Sequence, residues 1–191
     1  MTAAVSHHDL RSALDNALVA WAVIEAVLRI ANRDAERGGD WTFFVVVGSV
    51  VAGINLGFRA THDAGYGLGH PALLGLFGLG LVVVGAGLRI WSIRTLGRLF
   101  TFAVTIQADH QLVDRGPYRI LRHPGYTGGL VGLAGAGMAL DNSLSIAALF
   151  LIPLTGVLVR IPVEEARLSR SLGRSYQDYV ATTSRLLPHL W

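Results

Sequence analysis

The residues able to do chemistry gather in two stretches of the chain. The first ends in Asp109-His110-Gln111-Leu112-Val113, then Gly116-Pro117-Tyr118, then Arg122-His123-Pro124-Gly125-Tyr126. The second is Arg160 followed by Glu164 and Glu165, with Leu168, Leu172, Tyr176 and Tyr179 recurring at helical spacing beyond them. Imidazole and carboxylate side chains in such clusters suggest acid–base work or metal ligation. Metal ligation fits poorly, because three or four ligands at a fitting spacing are missing. Cysteine is absent, which also removes disulfides, iron–sulfur clusters and thiol nucleophiles. The two glutamates read equally as first-turn carboxylates favoured by a helix dipole, and His123 as a hydrogen-bonding residue beside its proline.

The elements that must position these residues are set by composition. Of 191 residues, 52% are hydrophobic and only 15% charged, against about 25% charged in soluble domains. The mean hydropathy is +0.48. Disorder, collagen-like repeats and an ordinary soluble enzyme are poor fits, and an all-α membrane protein is expected. Five apolar stretches stand out: Leu14–Ile30, Trp41–Phe58, Ala72–Trp91, Tyr126–Leu140 and Leu144–Val159. The last two are near or below the roughly 17–25 residues of a spanning helix and read as a short helical hairpin. The polar turn Asp141-Asn142-Ser143 joins them.

All 16 basic residues are arginine, and their placement orients the chain. Arg94, Arg98, Arg115, Arg119 and Arg122 lie between the third and fourth stretches, and Arg160, Arg167, Arg170, Arg174 and Arg185 lie in the tail. Both segments can face the cytosol if the chain crosses five times with its N-terminus outside. No removable signal peptide is expected. The insert before Pro124 reads as turn and loop, with a short strand at Leu99–Ile106. Pro162 is expected to kink the fifth helix as it leaves the bilayer, with an amphipathic helix following. Gly78, Gly85 and their neighbours read as helix-packing positions. The net charge of +3 on an apolar chain suits anionic lipid headgroups better than nucleic acid.

The order of motifs carries a resemblance. Leu96-Gly97-Arg98, His110-Gln111-Leu112-Val113, Gly116-Pro117-Tyr118-Arg119, Arg122-His123-Pro124-Gly125-Tyr126 and Arg160…Glu164-Glu165…Leu168…Gly173…Tyr176…Tyr179…Pro188 resemble the isoprenylcysteine carboxyl methyltransferase family and related membrane phospholipid methyltransferases. The likeness is to the small prokaryotic form and covers about half the chain, from Leu96 to Pro188. It divides the chain into three N-terminal transmembrane helices with their loops, 1–91, and a methyltransferase region, 92–191, that includes the helical hairpin and a cytosolic C-terminal helix.

The resemblance implies an S-adenosylmethionine-dependent methyltransferase in a bacterial cytoplasmic membrane, releasing S-adenosylhomocysteine. It implies cofactor contacts at His110, Gln111, Leu112, Val113, Tyr118, His123, Pro124, Gly125, Tyr126 and Glu164. It aligns Arg160 with an arginine of substrate binding and catalysis, and makes Glu165 the second catalytic acid. No metal is implied. The acceptor would be lipophilic and enter from the bilayer, an isoprenoid-like or lipid-like acid being the foremost class. A carboxylate acceptor needs no general base, and Arg160 could orient it through paired hydrogen bonds. An amine, phenol or thiol would need a proton sink such as Glu165 or His123. Two other readings remain: an NADPH-dependent membrane reductase resembling sterol reductases, or a non-enzymatic membrane protein whose arginines bind anionic lipid or a partner. Two adjacent acids would repel the 2′-phosphate of NADPH, and the non-enzymatic reading explains the charge asymmetry but not the Arg-His-Pro-Gly-Tyr and Arg…Glu-Glu combination.

Overall fold

The computed structural model describes residues 41–62, 64–99 and 112–188. The stretch Leu14–Ile30, nearly all of the expected strand at Leu99–Ile106, and His110 and Gln111 lie outside these residues. Five α-helices run through the described part: α1 (Trp41–Ala60), α2 (Pro71–Leu96), α3 (Pro124–Ala139), α4 (Ser143–Leu172) and α5 (Arg174–Thr182). Among the described residues there is no strand, only isolated bridges at Gly67–Asn142 and Leu121–Ser184.

Helices α1, α2 and α4 are long and apolar enough to cross a membrane. Their outward faces are oily, with Leu73, Leu76, Phe77, Val83 and Val84 of α2 all exposed, as a lipid-facing helix requires. Helix α3 has 16 residues, which at 1.5 Å each extend roughly 24 Å, short of a hydrocarbon core of about 30 Å. The hairpin is therefore unequal. Its second arm is not the short Leu144–Val159 of the sequence reading but a 30-residue helix that continues through Pro153 and Pro162. Each proline removes one ladder hydrogen bond, a loss that a membrane helix tolerates when its flanks are packed. Buried Pro153 abuts Gly53 of α1, and Pro162 follows Ile161, which is wholly buried. The helix ends at Gly173, whose φ of +57° suits glycine and separates α4 from α5.

Glycines let the helices touch. A Cβ on Gly85 of α2 would sit 2.5 Å from the Gly128 carbonyl oxygen of α3, and Gly78 meets Gly135 in the same way. Gly75, Gly80 and Gly87 of α2 face open space, so the packing role belongs to one face only. The turn Asp141-Asn142-Ser143 ties the far end together. Asn142 Oδ1 accepts from the Ser145 amide at 3.0 Å, its Nδ2 donates to Ala60 O at 3.0 Å, and the Ser145 hydroxyl donates to Gly57 O at 2.7 Å. These bonds pin the C-terminus of α1 to the N-terminus of α4. The antiparallel pair then carries the other end of α1 toward Arg160.

Candidate active site

The segment entering α3 is shaped by its breakers. Gly116, with φ +59°, and Pro117 open a 3₁₀ turn, Gly116–Arg119, that packs beneath Trp91 and Thr95 of α2. Residues 120–123 then run beside the C-terminal tail in a short parallel pairing. The amide of Arg122 donates to Ser184 O at 2.7 Å, that of His123 to Arg185 O at 3.1 Å, and that of Ser184 to Ile120 O at 3.0 Å. The Thr127 hydroxyl donates to Leu186 O at 2.8 Å, and Leu186 is buried with Leu130, Val157 and Ile161. With Pro124 at its first turn, α3 starts at once after His123.

Two ionic networks converge on this entry. In the first, the Tyr126 hydroxyl donates to Glu164 Oε2 at 2.8 Å and accepts from Arg160 Nε. Arg160 Nε also lies 3.6 Å from Glu164 Oε2, one helical turn along α4. The Arg160 guanidinium is buried beneath the Phe43 ring, with 5.9 Å from Cζ to the ring centroid, and Nη1 donates to Thr42 Oγ1 at 3.4 Å. The His123 ring stacks on Tyr126, with centroids 5.7 Å apart and 25° between planes.

In the second network, Glu165 Oε1 accepts from Arg122 Nε at 2.8 Å, and Oε2 takes Arg185 Nε at 3.0 Å and Nη2 at 2.9 Å. His123 Nε2 lies 3.4 Å from Oε1. Arg122 Nη1 donates to the carbonyls of Val180 and Thr183, which fastens the end of α5 to the same point. Consecutive side chains on a helix diverge by about 100°, so Glu164 and Glu165 address different neighbours.

Of the residues singled out in the sequence, His123, Pro124, Gly125, Tyr126, Arg160, Glu164 and Glu165 come together here. Tyr118 borders them: its carbonyl accepts from the Tyr179 hydroxyl at 2.7 Å, and burial followed by the Glu164 charge raises its phenol above the ordinary range. Leu112 lines an open cleft of about 320 Å³ with Asp114, Arg119, Asp178 and Thr182, and Val113 is half-buried beside it. The sequence reading passed over the hold of Arg122 and Arg185 on Glu165, the Thr42–Phe43 contact with Arg160, and Arg89, whose Nη1 donates to Gly125 O at 3.0 Å. Arg122 had a signal, since it opens the Arg-His-Pro motif, whereas Thr42 and Arg185 had none.

The arrangement offers a carboxylate and stacked aromatic faces beside a buried guanidinium. A carboxylate and aromatic faces attract a cation, and the guanidinium is suited to an anion held in a fixed plane. Among the described residues no group of three histidine, aspartate or glutamate side chains could hold a metal ion.

Known proteins are similar to this chain in sequence and fold. The model of the isoprenylcysteine carboxyl methyltransferase (ICMT) family matches residues 78–170. A probable protein-S-isoprenylcysteine O-methyltransferase of Oryza sativa subsp. japonica is 36% identical over 115 residues, 59% of this chain and 60% of that protein. Protein-S-isoprenylcysteine O-methyltransferase B of Arabidopsis thaliana is 38% identical over 105 residues, 54% of this chain and 53% of its own length. The solved structure of a eukaryotic intramembrane Ras methyltransferase ICMT superposes with a TM-score of 0.62 at 30% identity, covering 74% of this chain and 51% of that one. The chain thus spans between about half and three-fifths of the length of these relatives. It is an integral membrane protein that resembles the isoprenylcysteine carboxyl methyltransferase family through residues 78–170.

Proposed function

We propose that this chain is an S-adenosylmethionine-dependent membrane methyltransferase that esterifies the carboxylate of an isoprenoid-like or lipid-like acid. The observation that carries the reading is the Tyr126 hydroxyl, shared between Glu164 and Arg160. It joins a carboxylate suited to a cationic ligand to a guanidinium suited to an anionic one. S-adenosylmethionine, when bound, supplies the methyl group and, in its sulfonium, the leaving group.

The chain's own residues then bind and align. Glu164, with a quarter of its side chain exposed, attracts positive charge to the mouth of the site, and the stacked His123 and Tyr126 rings offer it an aromatic surface. Tyr118, Pro124 and Gly125 shape the same entrance, with Leu112 and Val113 on the approach. Two further cofactor contacts, His110 and Gln111, are carried over from the family motif alone. Arg160 takes the acceptor carboxylate and sets its approach to the methyl carbon, which is the proximity effect such a transfer relies on. A carboxylate attacks without losing a proton, so no residue has to act as a base. Glu165, carried over as the second catalytic acid, has both oxygens shared among Arg122, Arg185 and His123. Its contribution is to hold His123 and the start of α3 in register with α4.

In this reading the ionic networks face the cytosol of a bacterial cell, with the N-terminus outside. The charged cofactor enters from water and the apolar acceptor from between the helices. The names of the relatives point to S-prenylcysteine carboxylates as one acceptor class, and a small prenyl or lipid acid carries the same reacting group. The test is transfer of label from methyl-labelled S-adenosylmethionine to N-acetyl-S-farnesylcysteine and to a free long-chain prenyl acid, with detergent-purified protein. Base-labile volatile label, lost in Arg160→Ala, is the expected result. Full transfer by Arg160→Ala would overturn the assignment.

A further inference from the structure

The strongest unassigned relationship joins Arg160 to two residues outside the family-matched range 78–170. Thr42, on the first turn of α1, has no exposed surface, and its Oγ1 accepts from Arg160 Nη1 at 3.4 Å across 118 residues of chain. Phe43, the next residue, lays its ring over the same guanidinium at 5.9 Å. With Nε already engaged by Tyr126, contacts at two nitrogens and one face fix the plane in which the guanidinium lies.

The register that brings Thr42 to Arg160 is set by a ladder along α1 and α4. Gly57 faces Leu149 and Ser145, Gly53 faces Pro153 and Ala148, and Ser49 and Val46 close over Gly156. A Cβ on Gly156 would stand 3.1 Å from Val46 Cα, and one on Gly53 3.0 Å from Pro153 Cδ. Backbones this close cannot slide past one another without opening the interface. Thr42 is the next step in that ladder.

We propose that Thr42 and Phe43 are positioning residues for the acceptor: they hold Arg160 in the one orientation that receives a carboxylate. The inference rests on the methyltransferase reading above. It makes α1 a determinant of acceptor affinity, with no part in holding the cofactor. A lipid acid approaching Arg160 then meets a guanidinium already turned, and the entropy of ordering that side chain is lost on folding instead of on binding.

The experiment compares wild type, Thr42→Val and Thr42→Ser, using S-adenosylhomocysteine binding by calorimetry and steady-state methylation of N-acetyl-S-farnesylcysteine. Valine keeps the volume and removes the acceptor oxygen. The expected result is an acceptor KM raised about fivefold to tenfold in Thr42→Val, the range for losing one ordinary hydrogen bond. S-adenosylhomocysteine affinity should stay within about twofold, well inside the scale of that bond, and Thr42→Ser should restore the KM. An unchanged KM in Thr42→Val overturns the proposal, as does an equal loss of S-adenosylhomocysteine affinity, which would make Thr42 a packing residue. A wild type that binds S-adenosylhomocysteine yet methylates no acid fails differently: it removes the carboxylate acceptor itself, and this role with it.

Discussion

Glu164 and Glu165 are adjacent in the chain, yet their carboxylates belong to separate networks. Glu164 meets the Tyr126 hydroxyl and Arg160, while Glu165 bridges Arg122 and Arg185. The first network joins α3 to α4 at the site, and the second ties α4 to the entry segment and the tail. Neutralising each acid should therefore have a different consequence.

Glu165→Gln leaves two arginines facing an uncharged amide, with the Arg122 and Glu165 side chains only 8% and 12% exposed. Breaking such a pair from one side costs about 3 kcal/mol. A clear drop in the thermal unfolding temperature is expected, read by intrinsic fluorescence in detergent. Glu164→Gln, with a more exposed carboxylate, should unfold near the wild-type temperature. Equal unfolding temperatures for the two variants would remove the division of labour.

Arg185 reaches Glu165 through both Nε and Nη2, but a third of its side chain is exposed. Arg185→Ala should therefore cost less, about 1 kcal/mol. Truncation after Thr182 removes Ser184, Arg185 and Leu186 together, and with them the pairing that aligns His123. The truncated protein is expected to bind S-adenosylhomocysteine at least about tenfold more weakly than Arg185→Ala, one tenfold step being about 1.4 kcal/mol. Matching affinities, measured by calorimetry, would show the tail pairing to be dispensable.

The two faces of α2 give a sharp contrast. Gly85→Val drives a side chain into the Gly128 and Gly132 backbone, so α2 and α3 must separate. Overpacking of this kind costs about 1–3 kcal/mol, and more where the obstruction is backbone. Gly80→Ala meets nothing within 4 Å and should be neutral or stabilising by up to about 1 kcal/mol through helix propensity. Folded yield after size-exclusion in detergent measures both. Similar yields for the two would mean that the α2–α3 contact is not tight.

Much of the fold was legible because lipid imposes one rule on every spanning helix. Trp41–Phe58 and Ala72–Trp91 became α1 and α2 with their ends extended by a few residues. The length of the hairpin's second arm was not legible, because Pro153 and Pro162 each cost one hydrogen bond while the packing of their neighbours is invisible in a linear sequence. Gly173 ended the helix, since positive φ is a backbone requirement that composition alone does not reveal. At the site, His123 and Tyr126 share one helix start, and Arg160, Glu164 and Glu165 share one helix face and its neighbour, so local spacing placed each group. Which group met which depended on tertiary register. Arg185 stands 20 residues from Glu165, and Thr42 stands 118 from Arg160. Helical phase shows which way such residues point, but not what lies opposite.

If the Tyr126–Glu164 pair holds the methyl donor, calorimetric titration of the detergent-purified protein with S-adenosylhomocysteine, with NADPH run alongside, reads that hold without needing an acceptor. Saturable binding of S-adenosylhomocysteine is expected, lost in Tyr126→Ala and Glu164→Ala, with no NADPH signal. Binding of NADPH alone, or of neither by a folded sample, would contradict it.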